Sequence, residues 1–377
     1  MTTIPTPTIP ATPPAADAPG RLCLITGLDA GLPTLFGPGD RIWPETNCYT
    51  DLWLGLLAAL RLDVHACLPY TLALNFLDDQ WTFFKPSHDD LYTLYGIEVQ
   101  ELTIWRPLIE HVHEHLAAGR LIITEVDAWW LPDTAGTDYR RHHTKTTIVI
   151  NDIDAATRRL GYFHNAGYFT LHDEDFDQVF GLSAAPPQAA GPGLPLPLLA
   201  EVVNLRGLVR RPSDTLRHIS RHLMDKYLER VPTRHPVRQW ARRCSADLTQ
   251  LTTRQGDRLD RYHAWAFAGT RQLGSAFELA ALYLRWMAGN EPGSAHLTQA
   301  SDAFRQLSVL AKTFVLKGAR TVVSGQPLNE TELLERMARQ WSRGMALLGA
   351  GEIVLDHPDT VVLRPGPAAD ERAPATD

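Results

Sequence analysis

Apolar and polar positions alternate at two different periods, and the period changes partway along the chain. In the first half, Leu52, Leu56, Leu57 and Leu60 share one face of a helix that starts at Cys48, with Thr46 or Asn47 as its cap. A short helix is predicted over 89–95, closed by Gly96. Another is predicted over 107–118, with Pro107 at its start and Gly119 past its end. Between and after these helices lie short β-branched or aromatic runs that read as strands: 21–28, the Trp-Thr-Phe-Phe run at 81–84 stopped by Pro86, 99–104, 121–126, 146–150 and 160–163. A Pro-Asp-Thr-Ala-Gly turn at 132–136 and an Asn-Asp-Ile-Asp turn at 151–154 separate the last three. A helix over 173–180 closes this half.

The break comes at 181–197, GLSAAPPQAAGPGLPLP, which is read as a linker. Beyond it only the 3.6-residue period remains, over 213–229, 236–252, 257–288, 296–323 and 330–348. Residues 271–286 are expected to form a central helix with Leu273, Phe277, Ala280, Ala281 and Leu284 inward. The fold class that follows is an α+β domain with an antiparallel sheet, followed by an all-helical domain. The expected boundaries are a disordered tail over 1–20, the α+β domain over 21–182, a connection over 183–212, the helical domain over 213–349 and a second tail over 350–377.

Composition narrows the function classes. The 377 residues are enough for two or three domains, and the net charge of −7 argues against general nucleic-acid binding. The N-terminal stretch, rich in Pro, Thr and Ala, lacks the basic and apolar regions of a signal peptide. No apolar run approaches the ~18 residues of a spanning helix. Cys23, Cys48, Cys67 and Cys244 are scattered without a CxxC pair, which fits a reducing cytoplasm.

Cys48 stands out among the candidates for chemistry. A thiolate is the nucleophilic form of cysteine, and helix starts favour it; their free amides also suit an oxyanion, with Asn47 adjacent. His143, at the entry of the 146–150 strand, is the preferred base, and His142 is its alternative because neighbouring strand residues face opposite ways. Asn165, after the 160–163 strand, would orient the imidazole in a Cys-His-Asn arrangement. His164, Asp127 and Asp154 are the other supporting candidates. His111 and His115, in the run His111-Val112-His113-Glu114-His115, have a spacing that can ligate zinc, but it is not HExxH and no third ligand is supplied. A site from Cys48, His143 and His164 is equally weak, so no metal is expected. Residues 206–211 with Arg217, His218, Arg221 and His222 form a mildly basic run, read as a solvated face or as a docking patch for an acidic carrier.

The phrases WPETNCYTDLW, DDQWTFFKP, EVDAWWLPDTAGTDYRRHHTKTTI and GYFHNAGYF resemble a bacterial family defined by a conserved domain of unknown function, over about residues 40–345. The middle stretch is also similar to the N-terminal domain of the butirosin-pathway carrier-protein acyltransferases. That resemblance implies a papain-like core and transfer of an acyl or aminoacyl group from a phosphopantetheine thioester to an amine or hydroxyl. It implies Cys48 as nucleophile, His143 as base and Asn165 as orienter. An acyl or aminoacyl carrier protein, and an aminoacyl-carrier-protein ligase, become the implied partners; no cofactor beyond the carrier's arm is called for. Those acyltransferases usually carry a Gly-Tyr-Asp turn where this chain has 151–154, and their histidine can fall near Thr146. The alternatives are a cysteine peptidase or amidase of the same fold, and an inactive carrier-binding partner.

Overall fold

The computed structural model describes residues 20–28, 32, 35–36, 41–182, 199–253, 256–289, 293–324 and 330–350. The two expected tails and most of the proline-rich connection lie outside the described residues. In chain order the elements begin with β1 (Arg21–Cys23), α1 (Cys48–Ala59), a 3-10 segment (Val64–Ala73), β2 (Phe76–Leu77) and β3 (Gln80–Trp81). They continue with α2 (His88–Tyr95), β4 (Glu98–Glu101), α3 (Leu108–Ala117), β5 (Arg120–Asp127), β6 (Lys145–Asp154), β7 (Arg159–His164), β8 (Gly167–His172), α4 (Asp173–Val179) and β9 (Ala200–Asn204). The helices α5 (Ser213–Leu228), α6 (Pro236–Thr253), α7 (Arg258–Ala268), α8 (Thr270–Ala288), α9 (Ala295–Ser324) and α10 (Thr331–Leu347) complete the chain.

The expected α+β domain followed by helices is what forms. Its main sheet runs β4-β9-β5-β6-β7-β8, with β1 paired to the far end of β6 and every pairing antiparallel. Two strands had not been expected. β8 follows β7 through a two-residue turn at Asn165 and Ala166, and Asn165 takes the left-handed backbone (φ 47°) that such turns need. β9 comes from within the connection expected over 183–212, yet it lies between β4 and β5 inside the sheet. The strand is five residues long and includes Glu201 and Asn204, too short and too mixed to separate from a linker by period alone.

Three local expectations need correction. Residues 151–154 are not a turn; β6 runs through them, past a register shift between Ile150 and Asp152. The polar residues are there to make buried pairs. Asn151 bonds the amide and carbonyl of Ile25 and the Tyr168 hydroxyl, and Asp152 is held between Arg21 and Arg159. The aromatic run at 81–84 contributes only the short strand β3. Residues 257–288 are two helices, not one, because the chain breaks at Gly269 before α8 starts.

The expected single apolar face of α1 is also an underestimate, since Tyr49 through Ala59 are all buried. One side lies on the sheet, where Tyr49 reaches Glu201 of β9. Another side meets the 3-10 segment, which in turn packs on α5 and α8 of the helical domain. The inward residues Leu273, Phe277, Ala280, Ala281 and Leu284 of α8 are buried as expected. The two domains are joined by buried polar contacts as well. Asp90 pairs with Lys226 and accepts from Tyr227, while Ser220 donates to the Ala66 carbonyl at 2.8 Å. Asp63 accepts from the Trp286 indole at 2.8 Å.

The tightest joint is at the approach to α1. Glu278, on α8 and 2% exposed, accepts from the Ile42 and Trp43 amides and from the Arg41 guanidinium at 2.8 Å. One turn earlier on the same helix, Gly274 has no side chain because Trp43 fills the space; a Cβ there would come within 2.3 Å of the indole. The indole N–H donates to Ser308 of α9 at 2.9 Å. Glu278→Ala should therefore leave the mostly buried Arg41 guanidinium and two amides without their carboxylate and destabilise the protein by about 3–5 kcal/mol. Lys317→Ala, which opens the exposed Lys317–Glu330 bridge, should cost less than about 1 kcal/mol. Urea denaturation of both variants checks the contrast, and equal losses would contradict it.

Candidate functional site

The first turn of α1 gathers most of the chemistry. Asn47 caps it, its side-chain oxygen accepting from the Thr50 amide at 2.9 Å while its amide donates to the Phe84 carbonyl. Asp51 reaches back to the Thr46 amide and hydroxyl, both at 2.6 Å. Together these form a reciprocal cap that leaves the Cys48 and Tyr49 amides, as the first helical amides, without backbone partners. Burial pushes the Asp51 carboxyl up to about 6, against the Thr46 bonds and the charges of Arg41 and Arg271.

Strand register decides what meets Cys48. Its sulfur faces the Thr147 hydroxyl of β6 at 3.9 Å. Thr147 lies opposite Glu125 of β5, and the next outward pair on that face is Lys145 with Asp127. Lys145 and Glu125 form an ion pair of 2.6 Å, and the second Glu125 oxygen is buried with no partner. On the same face, Glu201 accepts from Tyr49 at 2.6 Å, and His88 lies 2.9 Å from the Tyr49 hydroxyl. Burial, then the Glu201 charge, raises the Tyr49 phenol; burial lowers the His88 imidazole.

His143 stands just before β6, with Nδ1 2.6 Å from Asp127 and its ring stacked 4.4 Å from Trp129. Asp127 also accepts from the Trp129 amide, so the carboxylate is fixed from two sides. His143 precedes β6 and is held by Asp127, which lies on the face of Thr147 and Cys48; four residues separate His143 from Thr147, two two-residue steps or about 13 Å along the strand direction. Its orienting partner is Asp127, the fallback candidate, rather than Asn165, whose backbone forms the β7–β8 turn near Gly55. His142 lies in the exposed turn and its amide donates to the Asp138 carbonyl. Asp154 caps the β6–β7 turn by accepting from the Ala156 and Thr157 amides.

His164 belongs to the opposite face. It pairs with Ile148, so it alternates away from Thr147 and Cys48. It is 2% exposed, with Nδ1 2.6 Å from Asp133 and Nε2 2.8 Å from the Thr146 hydroxyl; Tyr162 donates to the other Asp133 oxygen at 2.5 Å. This is a closed, fully paired network.

The remaining cysteines are differently set. Burial pushes the Cys67 and Cys244 thiols up, and Cys23 is engaged on β1 with the Ile25 carbonyl and Asn151. On α3, His111 is buried, and His115 accepts from Arg120 at 3.0 Å. Among the described residues no group of three or more His, Cys, Asp or Glu is arranged to hold a metal ion, and no helix is long and apolar enough to cross a membrane. An open cavity of about 280 Å³, lined by Leu35, Ala58, Arg61, Leu62, Asp63, Val64 and His65, lies at the other end of α1 and is separate from the Cys48 site.

Sequence reasoning missed Thr147, Glu125, Tyr49, His88, Glu201 and Arg271. Tyr49 follows Cys48 directly, which is a usable signal. Glu201 sat in an assumed linker, and Arg271 comes from the other domain, where it pairs with Glu45 at 3.7 Å.

An antiparallel sheet crossed by a buried helix, with a helical domain seated on that helix's approach, defines a two-part protein whose candidate site lies where the parts meet. Residues 33–203 match the DUF1839 N-terminal domain and residues 213–350 match the DUF1839 C-terminal domain, so the chain belongs to the DUF1839 family. Comparison with curated proteins finds no match.

The buried Asp51 gives a pH test of the α1 start. Its folded value of about 6 lies above the ordinary 3.8, so its contribution to stability is complete below about pH 4 and is lost as pH rises through 6. Relative to Asp51→Asn, the wild type should lose up to about 3 kcal/mol between pH 4 and pH 7. Chemical denaturation of both proteins across that range checks this; a constant difference would contradict it.

Proposed function

We propose that the protein is a cysteine-dependent acyl or aminoacyl transferase of papain-like architecture, working on a carrier-protein phosphopantetheine thioester in the cytoplasm. The observation that carries this reading is a cysteine at an open helix start over the sheet face that also carries Asp127, the carboxylate that holds His143. The resemblance to the butirosin-pathway acyltransferases supports it, and an aminoacyl-carrier-protein ligase would supply the charged carrier.

The chemistry runs in two halves. The Cys48 sulfur attacks the thioester carbonyl as its proton passes to Nε2 of His143, while Asp127 holds the ring through Nδ1. The Cys48 and Tyr49 amides donate to the oxyanion. Collapse releases the pantetheine thiol, which takes the proton back from His143 and leaves an acyl-Cys48 thioester. An amine or hydroxyl then attacks that thioester, His143 removes its proton, and Cys48 is freed. Transfer requires Cys48 and His143 to close the two two-residue steps, about 13 Å, between them. The seating of α8 against the approach to α1, with Arg271 beside Glu45, favours a roofed site over the extended groove of a peptidase.

One observation favours a second reading, an inactive carrier-binding partner: the Cys48 sulfur rests against Thr147 rather than an imidazole. Discharge of acyl- and aminoacyl-carrier proteins separates the two. Cys48→Ser should abolish discharge and the acyl adduct seen by intact-protein mass spectrometry. His143→Ala should slow acylation about 10²–10⁴-fold. Asp127→Asn should be the milder loss, and Asn165→Ala milder still. Under the binding reading Cys48→Ser leaves carrier handling unchanged, and losses follow exposed cations such as Arg217 and Arg221 and weaken with salt.

A further inference from the structure

Arg271 is a cation with a side chain only 14% exposed and few partners. Burial lowers its guanidinium to about 10, against the charges of Glu45, Asp51 and Cys48. Its Nε is buried with no hydrogen-bond partner, and its one ion pair is the long contact to Glu45, a side chain 57% exposed. The guanidinium carbon lies 3.2 Å over the Phe267 ring, which fixes its plane.

The backbone around it is equally unfilled. α8 starts at Thr270 after Gly269, with no side-chain cap, and the Thr270 hydroxyl is fully buried without a partner. A 19-residue helix beginning this way presents free amides and the positive end of its dipole. Thr270 shares its helix face with Gly274, which packs on Trp43, so this end of α8 points toward the segment leading into Cys48. An uncapped helix start thus carries, on consecutive residues, a buried hydroxyl and a mostly buried guanidinium Nε that both lack hydrogen-bond partners.

We propose that Arg271, the Thr270 hydroxyl and the first turn of α8 form an oxyanion-binding subsite beside Cys48, which takes a phosphate or carboxylate group of the molecule that reacts there. Glu45 occupies it loosely when the site is empty. The proposal rests on Cys48 being the reacting group, but it concerns binding and not transfer.

Alkylation tests it without any acyl donor. The rate at Cys48, followed by peptide mass spectrometry, is measured with anionic iodoacetate and with neutral iodoacetamide at matched ionic strength. Their ratio cancels changes in the thiolate fraction. Arg271→Gln should lower the ratio about 3–10-fold, Arg271→Lys should largely keep it, and Glu45→Gln should raise it. Inorganic phosphate or acetate should protect wild-type Cys48 from iodoacetate. Stronger protection by phosphate assigns a phosphate ester, and stronger protection by acetate assigns a carboxylate. An unchanged ratio in Arg271→Gln that keeps the wild-type circular dichroism spectrum overturns the subsite. If that variant does not fold, an unchanged ratio in Glu45→Gln together with no protection by either anion overturns it. A retained anion preference with no thioester discharge would instead count against the transfer reading alone.

Discussion

Everything at the start of α1 depends on the Glu278 carboxylate. A buried carboxylate is tolerated only when donors surround it, and this one takes its donors from the other domain: two backbone amides and a guanidinium in the segment 41–43. Those amides belong to a stretch with no regular structure of its own, so Glu278 supplies the order that a helix or strand would otherwise provide. Trp43 then fits against Gly274 and Ser308, and Asn47 and Asp51 can close the cap that fixes Cys48. The helical domain is therefore part of the site and not an appendage to it. A fragment ending at β9 would leave the approach to α1 without its acceptors.

The sheet separates two kinds of polar group by alternation alone. On the face under α1, Glu125, Lys145, Asp127 and Glu201 line up beside Thr147, and one carboxylate oxygen is unpaired. On the opposite face, Thr146, His164, Asp133 and Tyr162 satisfy one another completely. A closed network of that kind rigidifies a fold but leaves no capacity for a ligand. The face with surplus valences is the one with capacity, and it is the one the Cys48 helix covers.

Much of this could be read from the chain. The helices of the second half, the Asn47 cap, the Gly96 stop and the strands at 121–126, 146–150 and 160–163 follow from periodicity and turn chemistry, because those signals are local. His143 and Asp127 were both named, as base and fallback orienter, since a histidine before a strand and an acid after one invite the pairing. What failed depended on register or on the other domain. Asn165 and His164 looked well placed, yet one serves the hairpin turn and the other alternates to the far face. Residues 151–154 looked like a turn because Asn and Asp favour turns; buried partners such as Arg21 and Arg159 reversed that preference. β9 was lost because a short apolar run after a proline-rich break carries no sign of the strand it will join.

The charge balance at the seam explains why the site belongs there. The first turn of α1 and the sheet floor bring Glu45, Asp51, Glu125 and Glu201 together, and the cations that answer them come from both domains: Arg41 and Lys145 from one, Arg271 from the other. Arg41 and Lys145 are matched at 2.6–2.8 Å, whereas Arg271 meets its exposed partner only at 3.7 Å. A guanidinium that is mostly removed from water but held at that distance has given up hydration without regaining it in a close pair. Such an arrangement is unfavourable for stability alone. An anion arriving at that seam would complete the pairing, and it would do so next to the only cysteine among the described residues that stands at the start of a helix.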